Sequence, residues 1–184
     1  MKRNSSVDRF LSPLEESTYQ AFLTNELQVA DIVEWILEQV GRSELIQTSF
    51  SISEEFLRRL FTISKQGKIS KISLILDHKA TLKTLKLWVF INALIENTYL
   101  ADNHSKIILI KSEAGDKVSV ITSQNLTRGN RAESSFVCTD PVVFDNLHSQ
   151  IQDIINLKSV PLNEILSERI DSDRENGIDL SENI

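Results

Sequence analysis

The sequence predicts an α/β fold, and three observations carry that expectation. Two β-branched runs, residues 45–52 and 72–76, each precede a stretch whose apolar residues recur at helical spacing. Two further apolar runs, 107–110 and 118–121, flank a polar break containing Gly115 and predict a β-hairpin. Asp140-Pro141 then opens a closing helix in which Val142, Phe144, Leu147, Ile151, Ile154, Ile155 and Leu157 keep one face.

Taken in order, residues 1–11 are polar and expected to be mobile. Ser12-Pro13-Leu14-Glu15 combines an N-cap residue, a proline at the first helical position and an acid at the third, which predicts a short helix to about Leu23. Val29, Ile32, Val33, Ile36, Leu37 and Val40 form a helical stripe flanked by Trp35, and Gly41 stops it. These helices are expected to cover the sheet from outside. After the strand at 45–52, Ser53-Glu54-Glu55 caps a helix to about Lys65, with Phe56, Leu57, Leu60, Phe61 and Ile63 inward. The strand at 72–76 is nearly all apolar, which predicts a central place in the sheet. It runs into Asp77-His78-Lys79, and His78 reads as a solvated turn residue. One long helix is expected over 82–100, with Leu85, Trp88, Ile91, Ile95 and Tyr99 as its core stripe. A strand is expected at 133–139. His148 falls on the surface of the closing helix. Leu162, Ile165 and Leu166 suggest one more short helix, and from Asp171 the chain is acidic and poor in apolar residues, which predicts a disordered tail.

The net charge of −6 speaks against a polyanionic partner only until its distribution is read. Residues 161–184 hold seven acidic and two basic side chains, a net −5, so the rest of the chain carries −1. A near-neutral body can focus a positive field at a cleft. Lys106, Lys111, Arg128 and Arg131 lie close together in sequence. The single cysteine, Cys138, excludes an intramolecular disulfide and suits a reducing compartment. Within an apolar strand it is expected to be a buried packing residue. No apolar run reaches membrane-spanning length and no apolar signal core follows Met1-Lys2-Arg3, so a cytoplasmic protein without membrane association is expected. Neither a Gly-rich phosphate loop nor paired Cys/His zinc spacing is present.

Chemistry concentrates between His104 and Asp140. A two-residue turn at Ala114-Gly115 would set Lys106 opposite Ser123 and His104 opposite Asn125, and directly opposed residues share a face. All four would then meet at the open end of the hairpin. A turn at Gly115-Asp116 keeps that facing, whereas a loop of odd length breaks it. Histidine can attack phosphorus, while Lys, Ser and Asn side chains can hold phosphoryl oxygens. Glu133 is placed to orient an imidazole, and Arg128 adds a cation for phosphate. His-x-Lys alone is common by chance; the ordered set at hairpin spacing is more specific.

The order His104-x-Lys106, Ser123-x-Asn125 and then an acid resembles the phospholipase D-like (HKD) phosphodiesterase superfamily, over roughly residues 44–158 and most clearly over 104–145. The resemblance implies a mixed β-sheet flanked by helices over 44–158, preceded by a helical extension at 1–43 and followed by the acidic tail at 159–184. It implies His104 as the nucleophile forming a phosphohistidine, Lys106, Ser123 and Asn125 as phosphate ligands, and Glu133 as the partner of His104. That chemistry needs two His-x-Lys motifs, and this chain has one. Small single-motif members complete the site across a homodimer two-fold, which implies a homodimeric phosphodiesterase, in the first place a nuclease acting on nucleic acid, that uses no metal and no cofactor. Two positions depart from the family pattern. Lys111 stands where the family has Asp, and Thr122 where Gly is usual. Both leave room for a rival reading, a module that binds phosphate or nucleic acid without cleaving it.

Overall fold

The computed structural model describes residues 7–165 and 167. Its centre is one eight-stranded mixed sheet. The strands are β1 (Tyr19–Thr24), β2 (Ser43–Ser49), β3 (Ile69–Asp77), β4 (Asn97–Ala101), β5 (Ile107–Ser112), β6 (Lys117–Thr122), β7 (Glu133–Cys138) and β8 (Ser159–Pro161). Their spatial order is β1-β7-β6-β5-β2-β3-β4-β8. Helices α1 (Val29–Val40), α2 (Glu54–Lys65), α3 (Thr81–Leu85), α4 (Trp88–Leu94) and α5 (Pro141–Lys158) cover it.

Alternation along the strands divides the apolar residues between two layers. Leu45, Ile72, Leu74, Leu76, Ile108, Ile110, Val118, Val120 and Val137 join α1, α2 and α4 in the larger core. Ile75, Ala101 and Leu109 face the other way and meet Phe144 and Ile151 of α5. The caps read from sequence are present: Ser53 accepts the N–H of Phe56 at 3.3 Å and Asp140 accepts that of Val142 at 2.8 Å. Gly41 ends α1 at φ +78°, a conformation that glycine adopts without a Cβ penalty.

The topology turns on β2. From it, β3 and β4 run parallel in one direction of the sheet, and β5 pairs antiparallel on its other side. Parallel pairing demands crossovers, supplied by α2 and by the α3–α4 pair. The chain must then pass from the end of β4 back over β3 and β2 to reach β5. Residues 102–106 make that passage, and they contain His104.

Five expectations are corrected. No helix forms over 12–23. Pro13 and Glu16 close a single turn (N–H of Glu16 to O of Pro13, 3.0 Å), and the Gln20 carboxamide takes both backbone groups of Ser12 at 2.8 and 2.9 Å. The capping signature thus serves a turn, and residues 19–24 extend as β1 against β7. Residues 7–11, expected to be mobile, instead send Val7 and Leu11 into the core. The long helix at 82–100 is broken at Lys86-Leu87 and gives way to β4. Asn97-Thr98-Tyr99 favours extended backbone, and β3 offers an unpaired parallel edge that outweighs helical periodicity. Finally, the hairpin loop is odd. Ile107 opposes Ile121 and Lys111 opposes Lys117, which leaves three residues, 113–115, between Ser112 and Asp116. His148 is half-buried and stacked on Phe144 at 6.1 Å, so it is less of a surface residue than expected. Cys138 is buried as expected. Leu162 closes the core after β8, a strand with no signal in the sequence. The tail from Asp171 lies outside the described residues.

Two tests follow from these elements. With the odd loop, Ile107→Cys/Ile121→Cys should oxidise to an intramolecular disulfide, because the pair is directly opposed across a non-hydrogen-bonded site. Ile107→Cys/Thr122→Cys should not. Thiol titration before and after mild oxidation distinguishes the two registers. The second test concerns the edge of the sheet. The Tyr19 hydroxyl donates to Asp140 at 2.5 Å, and that bond, with the N–H of Val142 next, holds the Asp140 carboxyl below its ordinary range. The same bond holds the Tyr19 hydroxyl above its own. A lowered carboxyl contributes stability that is present above its unfolded value, about 3.9, and is lost as pH falls through the folded one. The stability gap between wild type and Asp140→Asn in denaturant titrations should therefore be steady near neutrality and close below about pH 4. A gap unchanged down to about pH 2 would contradict the pairing.

Candidate active site

The site is assembled where the 102–106 passage crosses the ends of β2 and β3. Asn103 pins it. Its backbone N–H donates to Asp77 Oδ2, at the end of β3, at 3.1 Å, and its side-chain Nδ2 donates to the Ser49 carbonyl, at the end of β2, at 3.2 Å. Its Oδ1 accepts from the N–H and hydroxyl of Ser105 at 3.2 and 2.6 Å. Ser105 in turn meets the Thr48 hydroxyl at 2.8 Å, and Thr48 Oγ1 accepts the N–H of Ile107 at 3.0 Å. The polar groups of Asn103 and Ser105 thus find partners on the strands beneath or within the passage itself, as burial requires.

His104 projects from this pinned turn into solvent. Its ring meets Phe50 edge to face, with centroids 5.6 Å apart and planes at 63°. Lys106 curls back so that its ammonium donates to the His104 carbonyl at 2.9 Å. The register correction reaches the site here. Lys106 accepts the N–H of Thr122 at 3.0 Å, so its strand partner is Thr122 and not Ser123. An offset of one residue reverses facing, so the hairpin alone does not bring Lys106 and Ser123 together.

Asn125 is brought in by another route. The chain leaves the sheet after Thr122, and the turn that follows is held to the end of β2. The N–H of Leu126 donates to the Ser49 hydroxyl at 3.1 Å, Ile52 and Leu126 form a bridge, and Asn125 Oδ1 lies 3.4 Å from the same hydroxyl. Gln124 anchors the turn from below, accepting from Val29 N–H at 3.1 Å and donating to the Leu27 carbonyl at 3.0 Å. Ser49 therefore links the His104 turn, through its carbonyl, to the Asn125 turn, through its hydroxyl.

The remaining candidates sit further along. Ser123 donates its hydroxyl to Glu133 and accepts the N–H of Ser134 at 3.1 Å. Among the described residues no hydrogen bond joins Glu133 to His104. Arg128 pairs with Glu55 at 3.0 Å, both largely exposed, a pair weak enough to open for an anion. Lys111 lies at the far end of β5. Sequence reading did not single out Ser49, Phe50 and Asn103, although Asn103 directly precedes His104. Its partners come from strands distant in sequence, a relation that spacing alone does not display.

A separate group borders the site. Asp77, His78 and Asp102 each offer a ligand atom, and these lie within 4.8 Å of one another. Carboxylate and imidazole donors suit a divalent cation. The sequence pattern concealed the group because β3–β4 pairing, Asp77 with Ala101, joins its two halves. His78 reaches the Ala101 carbonyl through Nδ1 at 3.3 Å.

No family model and no curated protein sequence matches the chain. Solved structures do. A phospholipase D family member, Nuc from Salmonella typhimurium, superposes with TM-score 0.58 at 15% identity, over 76% of this chain and 95% of its own. NucT from Helicobacter pylori gives the same score and identity over 76% and 98%. Phosphatidylserine synthase from Haemophilus influenzae gives 0.57 at 15% identity, over 87% of this chain and 47% of its own. The mixed sheet with helices on both faces superposes on these structures, and the chain has the phospholipase D-like fold.

Proposed function

We propose that the chain is a phosphodiesterase of the phospholipase D-like type, a nuclease acting through a phosphohistidine at a site shared by two copies. The observation that carries this reading is the convergence of the His104–Lys106 turn and the Asn125 turn on Ser49 at the end of β2. Ligands of open α/β sheets bind beyond the carboxyl ends of the strands, where strand order reverses, and β2 is that point. The chain covers 95% and 98% of Nuc and NucT but 47% of phosphatidylserine synthase, and this likeness in size to the small single-motif members favours nucleic acid over lipid as the substrate class.

In the first step an imidazole nitrogen of His104 attacks phosphorus. The P–N bond forms as the P–O bond to the leaving group breaks, and the leaving oxygen takes a proton from His104 of the second copy. Lys106 and Asn125 hold the non-bridging oxygens and offset the charge that builds on them. In the second step water attacks phosphorus, the second His104 takes its proton, and the P–N bond breaks to release the product and free histidine. Every charge is handled by side chains of the two copies, so the scheme needs no metal.

A shared site is supported by the face beside it. Leu23 opposes Ser134, Phe136 opposes both Ala21 and Ile121, and α5 does not cover this row. Leu23 is 69% exposed and Ile121 40%, an apolar strip next to Ser123. A non-catalytic phosphate-binding module is the second reading. It is favoured by Glu133, which is engaged with Ser123 instead of His104.

His104→Ala should abolish turnover of an oligonucleotide while leaving the melting temperature near wild type, since the exposed side chain opens no cavity. Asn125→Ala should lower turnover by about a hundredfold. Heterodimers of wild-type and His104→Ala chains should be defective, because each centre draws one histidine from each copy. Heterodimers with half the wild-type rate would reject the shared site. Binding without any trapped phosphohistidine would favour the module. EDTA should leave turnover intact. Activity lost to EDTA and restored by a divalent cation would instead direct attention to Asp77, His78 and Asp102.

A further inference from the structure

We propose that Ser49 and Asn103 are positioning residues, a buried pair that sets His104 and Asn125 in register with each other without touching substrate. The proposal rests on the reading of His104 and Asn125 as groups that act on phosphorus. Ser49 is 0% exposed and Asn103 4%. Both are small polar residues in a place where apolar side chains would pack, so their atoms must be satisfied internally.

The accounting is nearly closed. Asn103 spends one amide proton on the Ser49 carbonyl and receives two donors from Ser105 on its oxygen. Its own N–H goes to Asp77, 3% exposed, whose other oxygen is taken by the N–H of Lys79 at 2.7 Å. The passage is thereby fixed at two strand ends, one residue before His104. Ser49 has one hydroxyl proton and two acceptors within reach, the Ser51 carbonyl at 2.8 Å and Asn125 Oδ1 at 3.4 Å. The nearer carbonyl takes the proton, and the hydroxyl oxygen accepts the N–H of Leu126 at 3.1 Å, which fixes the turn that carries Asn125 beside it. Ser49 thus governs where the Asn125 turn lies, and Asn103 governs where the His104 turn lies. The two effects run through the backbone and side chain of one residue, so they are not independent.

Two near-isosteric variants separate the halves. Asn103→Asp keeps the oxygen that receives Ser105 and removes the donor to Ser49. Ser49→Ala removes the hydroxyl and keeps the carbonyl. On a fluorescent single-stranded oligonucleotide, each should lower kcat about tenfold or more, because small misplacements of reacting groups are costly. KM should move less than about threefold, since substrate contacts remain. The double variant should lose less than the product of the two single losses, as coupled residues do. A second readout does not depend on turnover. The chain has three histidines, so His104→Ala assigns the His104 ring C–H signal in NMR spectra, and the Phe50 ring displaces that signal through its ring current. Asn103→Asp should move it, with the melting midpoint within a few degrees of wild type. Folded variants with wild-type kcat and an unmoved His104 signal would overturn the proposal. So would activity that falls only in step with the folded fraction while the signal stays in place. If the wild type itself turns nothing over, the phosphodiesterase reading fails alone, and the displacement of the His104 signal decides the positioning role.

Discussion

The candidate site depends on one obligation, that a chain crossing the edge of a sheet must satisfy its backbone. After β4 the chain has used the parallel side of β2 and has to return across β3 and β2 before β5 can form. A passage laid over strand ends buries peptide groups that neither helix nor ladder can pair. Asp77, Asn103, Ser105 and Thr48 supply the partners, each from the strand being crossed or from the passage itself. The passage is consequently stiff, unlike a free surface loop, and a histidine placed on it is held against the β2 terminus while its ring stays in solvent. Rigid support for an exposed reactive group is what positional catalysis requires.

The parts of the fold that were legible in sequence are those fixed locally. Ser53 and Asp140 cap α2 and α5 with their own side chains, Gly41 ends α1, and the strands β3, β5 and β6 are short β-branched runs bounded by polar residues. What failed was decided by tertiary partners. Ser12-Pro13-Leu14-Glu15 has the residues of a helix start, yet β7 presents an edge that draws residues 19–24 into extension. Asn97–Ala101 continues a helical stripe by spacing, but pairing with β3 takes its backbone.

The candidate site shows the same division. His104, Lys106 and Asn125 were visible as residue types in order, and the structure brings the turns that carry them together. The route was misread. Loop parity decides facing in a hairpin, and neither Ala114-Gly115 nor Gly115-Asp116 is the whole loop, because Glu113 also belongs to it. Convergence is produced by Ser49, a residue some fifty positions upstream, and by the departure of the chain from the sheet after Thr122. A pattern of side chains can announce a chemistry while remaining silent about the scaffold that gathers it.

Lys111 illustrates how position changes the weight of a missing residue. The family pattern has Asp there, five residues beyond Lys106. At about 3.3 Å per residue that places it about 16 Å along β5, at the opposite edge of the sheet from His104. Its neighbours are Glu44 on β2 and Lys117 on β6. Lys117 is already paired with Asp145 of α5 at 2.6 Å, so the like charge beside Lys111 is partly neutralised, and Glu44 offers Lys111 an opposite charge that an Asp would repel. A lysine is electrostatically at home in this rung. Its departure from the family pattern therefore bears on how the hairpin end of the sheet is held, and leaves untouched the contacts by which Asn103 and Ser49 carry His104 and Asn125. Of the two departures, Thr122 is the one near the site. Its hydroxyl meets the Ser134 carbonyl at 3.0 Å and accepts the N–H of Gln124 at 3.1 Å, and so bends the chain out of β6 toward Asn125. The turn that delivers Asn125 is thus shaped by a side chain that a glycine at this position would lack.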